Sequence, residues 1–117
     1  MKYILAVEDD PINQLIIEDY LSDYDVTLVE DGQKCLDEVI KKEPDIILLD
    51  IAIPLIDGYQ VCKTIKENDK TKHIPIVMVT AYASEIEKQR ALKIGADDYL
   101  TKPFKHDSLI EIVEKYL

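Results

Sequence analysis

Four consecutive apolar residues, Ile46-Ile47-Leu48-Leu49, lie between Pro44-Asp45 and Asp50. The run is too short for a helix and carries no polar alternation, so it reads as a strand buried on both faces of a parallel sheet. Asp50 then stands at its carboxyl end, on the edge where open α/β sheets bind ligands. An acid placed there is either a functional group or the residue that turns the chain into the next loop, and this stretch alone does not separate the two.

The rest of the chain supplies the sheet. Ile4 to Val7 is a second apolar run, which passes through Glu8-Asp9-Asp10 into a helix opened by Pro11 and running to about Leu21. On that helix Ile12, Leu15 and Ile16 share one face at helical spacing and are expected to point inward. Val26 to Val29 predicts another strand, and Asp31-Gly32 enters a helix whose inward side is marked by Leu36, Val39 and Ile40 and which stops before Pro44. Ile51 to Gly58 is a loop punctuated by Pro54 and Asp57-Gly58, followed by a helix with Val61, Cys62 and Ile65 inward. Asn68 to His73 is a polar loop, and Pro75 to Thr80 is a strand. Ser84 and Glu87 have the spacing of a capping box for the next helix, which a glycine at Gly95 ends. Asp98 to Thr101 is a short fifth strand, and after Lys102-Pro103 a last helix from about Asp107 carries Leu109, Ile110, Val113 and Leu117 at periodic positions.

Five strands alternating with five helices require crossover connections, which enclose a parallel sheet between two helical layers: an α/β, (βα)5 architecture in one domain, 1–117. All three glycines and all five prolines fall at element boundaries or in loops, in agreement with this division. Every strand of such a sheet ends on the same edge. Glu8 and Asp9, Asp50, Thr80 and Lys102 therefore converge without further assumption. Three carboxylates in one cleft repel by a few kcal/mol per close pair, roughly, at an intermediate effective dielectric. Lys102 offsets one charge, and a hard divalent cation with oxygen ligands offsets the others, in the manner that suits Mg2+. No His or Cys lies near that edge, which argues against zinc. Carboxylates, a cation, an ammonium and a hydroxyl around a free Asp outline a phosphoryl-transfer site with Asp50 as covalent nucleophile.

Composition narrows the remaining classes. Nearly half of the 117 residues are apolar, which excludes disorder, and the formal charge of −10 argues against direct nucleic-acid binding. No apolar run is long enough to cross a bilayer, and the first residues meet acid too early for a signal peptide, so the expected location is the cytoplasm, with no membrane partner. Cys35 and Cys62 have no metal-ligand spacing and are expected to be reduced, semi-buried thiols.

Taken together, the residues resemble the receiver domain of two-component response regulators over the whole chain, as a single-domain, chemotaxis-regulator-like member. The marks are Glu8-Asp9, Asp50 with Pro54 and Asp57-Gly58, Thr80-Ala81, and Lys102-Pro103-Phe104. The resemblance implies a flavodoxin-like, doubly wound five-stranded sheet in the order 2-1-3-4-5. It implies that Asp50 accepts a phosphoryl group from a phosphohistidine of a sensor kinase or histidine phosphotransfer protein. It also implies that Asp9, Asp50 and the backbone carbonyl of Ala52 bind Mg2+, with Glu8 acting through water, that Thr80 and Lys102 contact the phosphoryl oxygens, and that Lys102-Pro103 is a cis peptide. Tyr99 resembles the switch aromatic that turns inward as Thr80 moves, although its spacing also suits a partly buried strand residue. Such a protein is not an enzyme toward outside substrates and catalyses only its own phosphorylation and autodephosphorylation. Ala52 and Tyr82 flank the path of the hydrolytic water and leave the lifetime open.

Pro11, Asn13, Ile53, Pro54 and Pro103-Phe104 are expected to form an apolar rim for a helix of the phosphodonor, or else to be ordinary packing residues. A downstream target is expected on the face of the fourth helix, fifth strand and fifth helix, with the chain a monomer or a weak phosphorylation-dependent dimer. Three rivals share parts of the pattern. An aspartyl-nucleophile phosphatase wants a second Asp where Ala52 stands. A flavodoxin-like cofactor binder needs a first loop that welcomes phosphate, which Glu8-Asp9-Asp10 repels. A receiver-like module that is never phosphorylated has no need of all five site residues. Met1 just before the first strand favours a stand-alone regulator over a receiver cut from a larger response regulator or hybrid kinase.

Overall fold

Side chains of alternate parity along the central strands pack into two separate cores, and this divides the helices between the two faces of the sheet. The computed structural model describes residues 1–81 and 84–117. In chain order the elements are β1 (Tyr3–Val7), α1 (Pro11–Tyr20), β2 (Asp25–Val29), α2 (Gly32–Lys41), β3 (Ile46–Asp50), α3 (Gly58–Glu67), β4 (Ile76–Thr80), α4 (Glu85–Ile94), β5 (Asp98–Thr101) and α5 (His106–Tyr116). All strand pairs are parallel and the order is β2-β1-β3-β4-β5, the doubly wound arrangement expected.

Leu5, Val7, Ile47, Leu49, Ile76 and Met78 face α2, α3 and α4, where they meet Cys35, Val39, Val61, Cys62, Ile65 and Ala91. Ile4, Ala6, Ile46, Leu48, Val77 and Val79 face α1 and α5, against Ile17, Leu21, Leu109 and Val113. The four apolar residues of β3 are all within 2% of full burial, and each contributes about 2 kcal/mol of hydrophobic stabilisation. The chain steps from β1 outward to β2 and then back across β1 to β3, so the strand order reverses between β1 and β3. The crevice of such a sheet opens at that reversal.

Side-chain caps start the first four helices soon after the preceding strands. Asp10, Asp31, Asp57 and Ser84 accept hydrogen bonds from Ile12, Lys34, Gln60 and Glu87 N–H at 3.1, 2.8, 2.9 and 3.2 Å. Gly95 ends α4 with φ +116°, in the left-handed region, as its position as a terminal glycine predicts.

Several inward assignments are corrected. Ile12 and Leu15 are 68% and 66% exposed, and the buried residue of α1 is Ile17, flanked by half-buried Asn13, Ile16 and Tyr20. The apolar residues of α1 spread around more than one face, and the ones it turns into the core are Ile17 and, one turn on, Leu21; Gln14 Nε2 donates to the Glu8 carbonyl at 2.6 Å. Ile40 is likewise in solvent, because Cys35 and Val39 already form the inward stripe of α2 one turn apart. Cys35 and Cys62 are fully rather than partly buried, and burial pushes their thiols up to about 12 and about 11. Ile53, expected on the rim of the site, is buried in the core on the α2–α3–α4 face.

Leu55, in the β3–α3 loop, has φ +69° and is 81% exposed. A bulky side chain in the left-handed region is strained, and here no packing offsets it. Leu55→Gly is therefore expected to raise stability by about 0.5–1 kcal/mol, less than the relieved strain because glycine also loosens the unfolded chain. A lowered urea midpoint in that variant contradicts this.

Candidate phosphoryl-transfer site

The β1–β3 reversal brings the strand-end residues to one cleft of about 410 Å³, lined among others by Glu8, Asp9, Asp50, Ala52, Thr80 and Lys102. Glu8, Asp50 and Thr80 are 2%, 5% and 4% exposed, whereas Asp9 is exposed at the mouth. Lys102, delivered by the end of β5, bridges the two buried acids: its Nζ donates to Glu8 Oε1 at 2.6 Å and to Asp50 Oδ2 at 2.5 Å. One ammonium thus offsets two carboxylates rather than one. Burial works to lower the Lys102 pKa, but the bonds to Asp50 and Glu8 and their charges outweigh it and hold the ammonium above its ordinary value.

The other contacts fix the acids in place. Asp50 Oδ1 accepts from Ala52 N–H at 3.0 Å, and Glu8 Oε2 from Asp10 N–H at 3.2 Å. Lys102 N–H donates to the Thr80 carbonyl at 2.7 Å, so the last residue of β4 sets where β5 delivers its lysine. The Lys102-Pro103 peptide is cis, as the resemblance implied. Gly58 N–H donates to the Ile51 carbonyl at 2.9 Å, docking the start of α3 against the backbone that leaves Asp50.

One carboxylate oxygen from each of Glu8, Asp9 and Asp50 lies within 4.8 Å of the others. The set is hard and purely oxygen, with neither His nor Cys among the described residues of the cluster, so it fits a hard divalent cation. Ala52 lines the same cleft, and Tyr82, the other residue expected beside the hydrolytic water, lies outside the described residues.

Comparison with known proteins decides the family. Residues 4–114 match the model of the response regulator receiver domain. The chain belongs to that family. This receiver domain is 33% identical to the polar-differentiation response regulator DivK of Brucella anthropi, over 99% of the chain and 96% of the relative. It is 37% identical to the DNA-binding dual master transcriptional regulator RpaA of Synechocystis, of whose length it spans about half (49%). Among solved structures, the chemotaxis protein CheY4 of Vibrio cholerae superposes with a TM-score of 0.93 at 29% identity, covering 100% of this chain and 99% of that one. The receiver domain of the sensor histidine kinase PA1611 of Pseudomonas aeruginosa gives 0.90 at 37% identity, covering 98% and 96%, and holds a magnesium ion in its active-site cleft. The receiver domain described here is thus a two-component signalling module. Among its described residues no helix is long and apolar enough to cross a membrane.

Two cleft residues escape a reading confined to strand ends. Tyr59, in the first turn of α3, and Glu87, in the first turn of α4, both line the cleft, and the Tyr59 hydroxyl donates to Glu87 Oε2. Glu87 was legible only as half of a capping box. Its N–H does bond Ser84 Oγ, but its carboxylate is turned onto Tyr59. Tyr99 is half-buried against the α2–α3–α4 core, with the Lys88 ammonium 5.6 Å from its ring centroid. Of the expected rim, Asn13, Pro103 and Phe104 line a groove that continues from the cleft past Lys102 to Tyr20, whose ring meets Phe104 edge-on at 6.2 Å.

Proposed function

We propose that Asp50 is the phosphoacceptor of this receiver domain and that the chain works in the cytoplasm as a phosphorylation-controlled binding module. The observation that carries the reading is the Lys102 bridge between buried Asp50 and buried Glu8 in a cleft that also holds Asp9. Such an arrangement has no packing role that apolar residues would not fill at least as well.

In the reaction proposed, a carboxylate oxygen of Asp50 attacks the phosphorus of a phosphohistidine on a sensor kinase or phosphotransfer protein. The phosphorus–nitrogen bond breaks, and its electron pair leaves with the imidazole. Lys102 exchanges one of its two carboxylate partners for a phosphoryl oxygen, and the Thr80 hydroxyl donates to another. Asp9, Asp50 and the Ala52 carbonyl, with Glu8 through water, would hold Mg2+, which would supply the charge neutralisation that lets an anion enter an acidic cleft. Hydrolysis of the acyl phosphate returns Asp50 to a carboxylate, so the chain acts only on itself. The groove along Asn13, Phe104 and Tyr20 suits a helix of the phosphodonor, and the α4–β5–α5 face suits the downstream target, with Tyr99 as the switching aromatic. The receiver acts as a monomer or as a weak dimer that phosphorylation strengthens.

Metal removal tests the acidic set. Labelling by a small acyl-phosphate donor is expected to stop when Mg2+ is chelated, and Asp9→Asn is expected to behave like the chelated parent. Mg2+ should also raise the parent's melting temperature, as any native-state ligand does, and raise that of Asp9→Asn far less. Undiminished labelling in excess chelator sinks this part of the reading.

A further inference from the structure

Of the carboxylates lining the cleft, Glu8 and Asp50 share Lys102, Asp9 completes the metal-binding set and Asp10 caps α1. Glu87 has none of these duties. It comes from α4, and it accepts the hydroxyl of Tyr59, which is 8% exposed on α3 directly after Gly58. Arg90, three residues along α4, places its guanidinium 4.0 Å from the Tyr59 ring centroid, so α4 grips the same phenol from two positions. Through the Gly58 contact with Ile51, Tyr59 stands on the backbone that leaves Asp50. Burial, then the bond to Glu87 and its charge, push the Tyr59 phenol up to about 12, so it remains a donor at neutral pH. Burial, then the Glu87 charge, raise Tyr99 as well, which puts this one carboxylate within electrostatic reach of both tyrosines.

We propose that Tyr59 and Glu87 form a charge-sensing latch: the phenol pins the first turn of α4 to α3 while Asp50 is unmodified, and an anion joined to Asp50 repels Glu87 and releases that turn. The proposal rests on Asp50 being the acceptor. A carboxylate carries one negative charge and its acyl phosphate close to two, so at constant metal occupancy the cleft gains roughly one charge. A cleft walled by protein focuses that field on the one carboxylate in it not committed to Lys102, the metal set or a helix cap. Linkage then requires the converse: an anion that expels Glu87 must bind more tightly when residue 87 is neutral.

The full chain is titrated with beryllofluoride in the presence of Mg2+, a tetrahedral anion that joins an aspartate carboxylate, while amide hydrogen exchange is followed over residues 85–94. In the parent, saturation should speed exchange in the first turn of α4 by about fivefold. Glu87→Gln keeps an acceptor for Tyr59 and loses the charge; it should bind the anion about fivefold more tightly and lose most of the α4 response. Tyr59→Phe should exchange rapidly in α4 before any anion is added. Parent-like affinity and parent-like α4 response in Glu87→Gln overturn the latch, as does slow α4 exchange in ligand-free Tyr59→Phe. A parent that binds no beryllofluoride overturns the reading of Asp50 and the release step with it, whereas ligand-free Tyr59→Phe against parent still decides the pinning.

Discussion

Lys102→Ala is expected to destabilise the protein by about 3 kcal/mol, the lower end of what removing one partner from a buried ion pair costs. Lys102 faces two carboxylates at 2.5 and 2.6 Å, and both acids are at least 95% buried, so neither can turn to water when the ammonium is gone. Mg2+ should shrink the deficit of the variant, because a cation in the acidic set replaces the lost counter-charge. At the alkaline end the parent itself loses the advantage. The folded-state pKa of Lys102 is raised, so its stabilisation is complete below the unfolded lysine value, about 10.4, and is lost as pH rises through the folded one. Denaturation curves of parent and variant, taken across pH with and without Mg2+, check all three statements. A variant as stable as the parent at neutral pH without metal contradicts them.

Gly58→Ala is expected to be nearly as damaging for a purely steric reason. A Cβ at residue 58 would lie 2.6 Å from the Asp50 carbonyl oxygen and 2.6 Å from Ile51 Cα. Both are backbone atoms, so no rotamer change relieves the overlap and α3 must move away from the end of β3. Overpacking of this kind costs about 1–3 kcal/mol. The displacement falls on the peptide that carries Asp50, the proposed acceptor, and a shift of about 1 Å at a reacting group slows chemistry by about a hundredfold. Gly58→Ala should therefore lower both the denaturation midpoint and the rate of acyl-phosphate labelling. A variant that loses stability but labels at the parental rate would show that α3 does not position Asp50.

The glycine illustrates what was legible in the sequence and what was not. Asp57-Gly58 marks a turn into a helix, and it is one, but the reason only glycine fits is a contact with a strand eight residues earlier. The convergence of Glu8, Asp9, Asp50, Thr80 and Lys102 was legible because it follows from parallel topology alone, whatever the side chains do. The rotation of α1 was not, since its apolar residues spread around more than one face and Ile17 with Leu21, not Ile12 with Leu15, take the inward positions. Tyr59 and Glu87 were missed because they enter the cleft sideways, from the first turns of helices, and because Ser84 and Glu87 already had a sufficient local reading as a cap. Ile53 was misplaced on the rim because the loop after Asp50 folds back onto the core instead of running over the surface.

The central claim, that Asp50 is the phosphoacceptor, is tested most directly by intact-protein mass spectrometry after incubation with a small acyl-phosphate donor and Mg2+. The parent is expected to gain a single phosphoryl group, lost again on standing, and Asp50→Asn to gain none under the same conditions. Equal labelling of parent and Asp50→Asn, or no labelling of the parent, contradicts the claim.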